Sequence, residues 1–341
     1  MPDTNPISAA PSPALLFETI NAYHRTAAIK AAVELDLFTV LAESPATADA
    51  VAQRVNAAPR GVRILCDFLT VLGFLTKSGD RYTPTPDSAF FLDRKSPAYA
   101  GGTLEFLLSD HLRGGFGLLT DAVRKGGTAQ SPQGAVAPEH PMWLSFARSM
   151  GPQMTPGAAG LADIIALDPS RPAKVLDIAA GHGVWGLAFA KKYPLAQVVA
   201  LDWAPVLEVA RENARAAGAA DRFSTIAGSA FDADLGTGCD VVLVPNFLHH
   251  FSAAECIRFL KRAHAALRPG GNLAIVEFVP NPDRVTPPGV AVFSLIMLAM
   301  TPAGDAYTHA EYADMLAQSG FTAPVQHSLP ASMNAALIAK K

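Results

Sequence analysis

Val175-Leu176-Asp177-Ile178-Ala179-Ala180-Gly181-His182-Gly183-Val184-Trp185-Gly186 is an apolar run that ends in an acid, passes through a small-residue loop and opens a helical pattern. Glycines at 181 and 183 let the chain turn sharply and let a ligand approach the main chain at a helix N-terminus. With Gly186 they complete a dinucleotide-type fingerprint. Asp202 then stands at the end of the next apolar run, where an acid can hydrogen-bond ribose hydroxyls. The stretch is the first strand, loop and helix of a Rossmann-like α/β sheet with a nucleotide-type ligand site.

Downstream, apolar strands alternate with amphipathic helices, as a doubly wound sheet requires. Strands are predicted over 174–178, 197–201, 223–226, 240–244 and 272–278, with a closing pair at 325–326 and 334–339, and helices starting near Gly183, Pro205, Ser252 and Thr308. Upstream, helical spacing runs through 15–33, 35–41, 48–55 behind Thr47, and 62–72 behind Pro59. Two short strands follow around Ser78-Gly79-Asp80. Helices followed by a small hairpin describe a winged helix. The chain therefore divides into a disordered tail at 1–13, a winged-helix-like domain at 14–100, bridging helices at 101–166 and the α/β domain at 167–341. The apolar run 290–300 is too short to span a membrane and reads as a buried helix.

The winged helix raises a rival function, a DNA-binding regulator. Its candidate recognition helix offers only Arg60 and Arg63, with Asp67 beside them, whereas groove reading needs polar and basic side chains along one face. A net charge of -3 gives no general attraction to phosphate backbones or anionic lipids. No nucleic acid or membrane partner is expected, and apolar helices there suit dimerisation better. Cys66, Cys239 and Cys256 lie far apart and read as reduced thiols, which points to a cytoplasmic protein. No ligand-spaced cluster suggests a metal.

Asp177 bears on the ligand's identity. A carboxylate four residues before the first glycine would repel a pyrophosphate but suits a ligand with a cationic amino-acid end, such as S-adenosylmethionine. Residues 174–186, 199–214, the strand end Val244-Pro245-Asn246-Phe247-Leu248-His249-His250-Phe251 and Arg268-Pro269-Gly270-Gly271 together resemble successive motifs of the class I S-adenosylmethionine-dependent methyltransferases. With the amino-terminal region, the chain is similar to the small-molecule O-methyltransferases of the caffeate, acetylserotonin and bacterial polyketide type. That resemblance implies a seven-stranded sheet and a homodimer joined through the amino-terminal domain. It implies cofactor contacts at Asp177, Gly181, Gly183, Asp202, Trp203 and Asn246, with S-adenosylhomocysteine as product. The family's Gly-Asp-x-Phe reads Gly228-Ser229-Ala230-Phe231 here, so Ser229 and Phe231 are placed around the base with an acid missing.

The family's Leu-His-Asp-Trp corresponds to Leu248-His249-His250-Phe251, which puts a general base at His249 and a histidine, His250, in the partner acid's place. Histidine is neutral at cellular pH and accepts a phenolic proton. His182 reads as a loop-turning residue. Of two carboxylates that flank the base in the family, Glu277 corresponds to one; the other aligns with Ala306, with Asp305 or Tyr307 as substitutes. Trp143, Phe146, Met150, Phe293, Met297 and Tyr307 are candidate walls for a small, flat, largely apolar acceptor. Methylation of nitrogen or carbon by proximity alone, and a relative that no longer methylates, remain alternatives.

Overall fold

The computed structural model describes residues 11–341; most of the tail expected at 1–13 lies outside them. The chain divides into two compact units, one ending at Gly101 and one spanning Gly102–Lys341.

In the first unit, helices Ala14–Glu34, Leu37–Glu43, Ala48–Arg54 and Pro59–Val71 precede an antiparallel hairpin. Thr47 caps the third helix by accepting from the Ala50 N–H. Strands β1 (Ala46–Thr47), β2 (Leu75–Ser78) and β3 (Arg81–Pro84) form a sheet in the order β1-β3-β2. Asp67 accepts hydrogen bonds from Lys77, Tyr82 and Arg63, which together hold its carboxyl down at about 2. The long first helix buries only Ala28, Ala32 and Val33, and leaves Leu15, Leu16, Phe17, Ile20 and Tyr23 exposed.

The second unit holds a seven-stranded sheet. Its strands are β4 (Ala173–Ile178), β5 (Ala196–Asp202), β6 (Phe223–Ala227), β7 (Cys239–Pro245), β8 (Leu267–Glu277), β9 (Val325–Ser328) and β10 (Ala335–Lys340). The order is β6-β5-β4-β7-β8-β10-β9, with β10 antiparallel to both neighbours. Because successive strand residues face opposite ways, Leu176, Ile178, Val242 and Val244 enter one core layer, which holds Phe259 and Leu260 of the helix Ala253–Ala266. Val175, Val241 and Leu243 enter the other, with Leu187 and Phe189 of the helix Val184–Lys192. Capping boxes, Ser252 with Glu255 and Thr308 with Glu311, start the helices Ala253–Ala266 and His309–Ala317.

One expectation changes. The apolar run 290–300 is two short helices, Pro288–Ala291 and Phe293–Met300, and its Val292 and Leu295 are exposed while Met297, Ala299 and Met300 are buried. The three cysteines are free and buried, and among the described residues no helix is long and apolar enough to cross a membrane.

Candidate active site

The sheet's parallel strands end on one rim, and the loops leaving that rim line a cavity of about 600 Å³. At one end lies the glycine loop. Gly181, at φ 57°, donates its N–H to Asp202 Oδ2 at 2.8 Å, and Trp203 donates its own to Asp202 Oδ1 at 2.7 Å. Each carboxylate oxygen keeps acceptor capacity on the cavity wall, where Asp202 lies with Gly181, Trp203, Ser229, Phe231 and Asn246. Burial raises Asp202 to about 6 against the pull of those two N–H groups.

Asp177 and Gly183 are different. Asp177 is wholly buried off the cavity wall. Its Oδ2 accepts the Gly186 N–H at 2.8 Å, and its Oδ1 has no partner among the described residues. Burial pushes it up to about 8, with the Gly186 N–H opposing and the Asp202 charge adding. The side chain sits behind the cavity wall and anchors the first turn of the helix Val184–Lys192. Gly183, at φ 75°, faces away too. A Cβ there would meet Ala210 at 3.1 Å and Phe223 at 3.4 Å, so glycine lets the helix Ala204–Ala216 pack closely.

His249 also lines the cavity, on a one-turn 3-10 helix, Leu248–His250, just past β7. Its Nδ1 is hydrogen-bonded to Glu277 Oε2, at the end of β8. Glu277 Oε1 accepts from the backbone N–H groups of Phe247 at 3.1 Å, Leu248 at 2.8 Å and His249 at 3.3 Å. Burial pushes Glu277 up to about 8, with the His250 charge and the three N–H groups opposing; those N–H groups favour the ionised carboxylate, and with the acid ionised the proton of the His249–Glu277 contact rests on Nδ1. Burial lowers His249 well below its ordinary value, which keeps the imidazole neutral. Its Nε2 has no protein partner among the described residues and lies on the cavity side.

The second carboxylate does not materialise. Asp305 pairs with Arg284 at 3.1 Å, and the Tyr307 hydroxyl donates to the Phe251 carbonyl at 2.6 Å. Tyr307 belongs to the core beneath the rim and not to the cavity wall, because its ring packs on Tyr312. Ala306 is fully buried. His250, in the family acid's place, bonds the Phe247 carbonyl at 3.2 Å and lies on the wall with its ring centroid 5.0 Å from Trp143.

The other walls are apolar. Trp143, Phe146, Met150, Phe293 and Met297 line the cavity, and the stacked pair Phe278–Phe293, 3.9 Å between centroids, makes a flat face beside His249. Several lining residues carried no sequence signal of their own. His182 accepts from the Val184 N–H at Nδ1, donates from Nε2 to Met154 Sδ at 3.1 Å, and stacks on Phe146. Asn334, between β9 and β10, donates to Asn246 Oδ1 at 3.0 Å. Met154 was within reach of sequence reasoning, one helical turn beyond Met150.

Residues 158–322 match the O-methyltransferase domain, and residues 17–94 match the O-methyltransferase dimerisation domain. The 3-hydroxy-5-methyl-1-naphthoate 3-O-methyltransferase of Streptomyces sahachiroi is 30% identical over 90% of this chain and 89% of its own. The chain belongs to the O-methyltransferase family. A Nostoc punctiforme protein assigned to the O-methyltransferases superposes with a TM-score of 0.93 at 49% identity, over 98% of this chain and 100% of that one. Human N-acetylserotonin methyltransferase, solved with S-adenosylmethionine, shares the fold at a TM-score of 0.82 and 23% identity, over 98% and 99% of the two chains. This O-methyltransferase is thus an S-adenosylmethionine-dependent enzyme whose amino-terminal unit is a dimerisation domain.

Proposed function

We propose that this O-methyltransferase methylates a hydroxyl of a small, flat aromatic or polyketide-like molecule, with His249 as general base. The observation that carries the reading is the open Nε2 of His249, in the same cavity as Asp202, with Nδ1 fixed on Glu277. Asp202 suits the ribose hydroxyls of S-adenosylmethionine, and Trp203, Ser229 and Phe231 suit its adenine; the Gly181 turn suits its amino-acid end. When bound, that ligand supplies an electrophilic methyl group. The chain's own residues do the rest. Apolar walls exclude water and align the acceptor; Nε2 takes the hydroxyl proton; Glu277 stabilises the imidazolium so formed.

Of the eight methionines in the sequence, six line this cavity: Met142, Met150, Met154, Met297, Met300 and Met333. Such walls adapt to varied apolar shapes and favour an aromatic acceptor over a charged one. The naphthoate specificity of the Streptomyces relative points the same way. The test is to incubate the protein with S-adenosylmethionine and a panel of phenols, hydroxyquinones, N-heterocycles and carbon acids, and identify the methylated atom by mass spectrometry and NMR. Methyl ethers are expected. N- or C-methyl products, or binding without any product, would replace the reading with proximity catalysis or a non-methylating enzyme.

The dimerisation unit is read as joining two copies of this chain, supported by the unpartnered apolar residues Leu15, Leu16, Phe17, Ile20 and Tyr23 on its first helix. Light scattering on the whole protein should give twice the chain mass. A monomer at micromolar concentration would count against it.

A further inference from the structure

The helix Gly151–Ile164 is weak by its own sequence, Gly-Pro-Gln-Met-Thr-Pro-Gly-Ala-Ala-Gly-Leu-Ala-Asp-Ile. Pro152 is tolerated in the first turn, but Pro156 removes a hydrogen bond from the interior, and the glycines at 151, 157 and 160 lower helix propensity further. Such a segment depends on what it packs against. It nevertheless gives the cavity wall Gln153 and Met154, and the helix before it, Met142–Ser149, gives Trp143 and Phe146. Residues of both helices rest on one side chain, the buried imidazole of His182. Phe146 stacks on it with 5.8 Å between centroids and planes 22° apart, and a Cβ on Gly151 would meet its Cβ and Cγ at 3.5 Å.

The imidazole has a fixed tautomer. The Val184 N–H donates to Nδ1 at 3.2 Å, so the ring proton sits on Nε2 and goes to Met154 Sδ at 3.1 Å. Burial pushes the ring down to about 4 and keeps it neutral. Its backbone is tied as well, since Asn213 Nδ2 donates to the His182 carbonyl at 2.8 Å and the preceding Gly181 N–H holds Asp202. Gly181 and Gly183, both at positive φ, make the turn by themselves, so the turn does not require a histidine between them. We infer that His182 is a positioning residue that couples the glycine loop to the acceptor wall. A ligand seated on Asp202 and Gly181 stills the loop, and through His182 the loop stills the two helices that carry Trp143, Phe146 and Met154. The inference rests on an aromatic acceptor lying against that wall, as proposed above, and not on which atom is methylated. By reciprocity, the acceptor should tighten the cofactor by the factor with which the cofactor tightens the acceptor.

Amide hydrogen exchange on the whole protein, with and without saturating S-adenosylhomocysteine, reads the coupling without any acceptor. In the native protein the ligand should slow exchange in the glycine loop and also, by about 10-fold, in the helices Met142–Ser149 and Gly151–Ile164. In His182→Asn, whose Oδ1 can still take the Val184 N–H but which reaches neither Phe146 nor Met154, protection should stay in the loop. His182→Gln, whose longer amide can donate to Met154, should recover part of it. Met154→Leu should lose part, and carries the test should His182→Asn fail to fold; combining it with His182→Asn should change nothing further. A residue that only holds the fold would speed exchange with and without ligand alike and leave their ratio at the native value. That result would overturn the inference, as would native protection confined to the loop, or protection of the two helices that survives in His182→Asn. Calorimetry with a mononaphthol gives the matching measurement: S-adenosylhomocysteine should tighten it about 10-fold in the native protein and far less in His182→Asn. Protection that spreads while no naphthol binds would sink the acceptor reading and leave the coupling standing. Methyl ethers formed by an enzyme whose protection stops at the loop would do the reverse.

Discussion

The ends of β5 and β8 each carry a buried carboxylate gripped by backbone N–H groups, and they differ in what stands before it. Asp202 takes two N–H groups and turns its remaining acceptor capacity straight onto the cavity. Glu277 takes three and is screened by His249, so it meets the cavity only through an imidazole. The same residue chemistry on the same rim therefore serves two tasks. An acid in the open holds a ligand, and an acid behind a histidine fixes a tautomer and stabilises a transient charge. Substitutions at the two ends should separate binding from turnover.

The largest effect is expected at the screened end. His249→Ala should lower kcat by about 10²- to 10⁴-fold for a phenolic acceptor, the usual worth of a general base. Glu277→Gln should cost a similar factor. An amide can present its N–H₂ to Nδ1, which would turn the imidazole to the tautomer with Nε2–H and remove the lone pair. Raising the pH should partly rescue His249→Ala, because the phenolate forms in solution. Neither change should move S-adenosylhomocysteine affinity by more than a few fold. Full turnover in His249→Ala at neutral pH would break the contrast and leave proximity as the sole source of rate.

At the open end the effect is smaller and falls on affinity. Asp202→Asn replaces one acceptor oxygen by a donor facing a backbone N–H, and should weaken S-adenosylhomocysteine binding roughly 10- to 100-fold. The pH dependence has a definite sign. Asp202 is raised to about 6, so below that value it holds a proton that the unfolded chain has already released above about 4; its ionisation costs stability as pH rises between these values, while ligand hydroxyls gain their acceptor. Affinity at pH 5 should be about 10-fold weaker than at pH 7, a tenth of the group being ionised there. Calorimetry at both values should show this in the native protein and a flatter profile in Asp202→Asn. Equal slopes would place the titration elsewhere.

Both acids were legible in the sequence, Asp202 because a parallel strand reads as an apolar run and the polar residue that ends it must emerge on the ligand-binding rim. Asp202 follows that logic directly, whereas Asn246, His249 and Glu277 were placed by the family resemblance; every strand of the large sheet lies within a few residues of its predicted place apart from the earlier start of β8. Legibility fails where position depends on docking. His182 reaches the cavity because of how the bridging helices pack against it, Phe146 and Met154 among them, and Asn334 because its side chain meets Asn246. Tyr307 shows the opposite error. Its nearness to Ala306 along the chain suggested the cavity, yet its hydroxyl is claimed by the Phe251 carbonyl.

Asp177, at the end of β4, gives the comparison its third member and its smallest expected effect. It is buried like Glu277, but one oxygen holds Gly186 and the other has no partner among the described residues. Acting only through the loop, Asp177→Asn should weaken S-adenosylhomocysteine by less than about 10-fold, the worth of one neutral hydrogen bond. Its signature lies in stability. With its carboxyl raised to about 8, the native state keeps a proton that the unfolded chain loses above about 4, so stability falls as pH rises through that window. The amide cannot ionise and escapes the penalty. The Tm of Asp177→Asn minus that of the native protein should therefore climb between pH 5 and pH 9, whatever its offset at the acid end. A flat difference would mean that Asp177 ionises freely. An affinity loss as large as that of Asp202→Asn would put this carboxylate in direct contact with the ligand's cationic end.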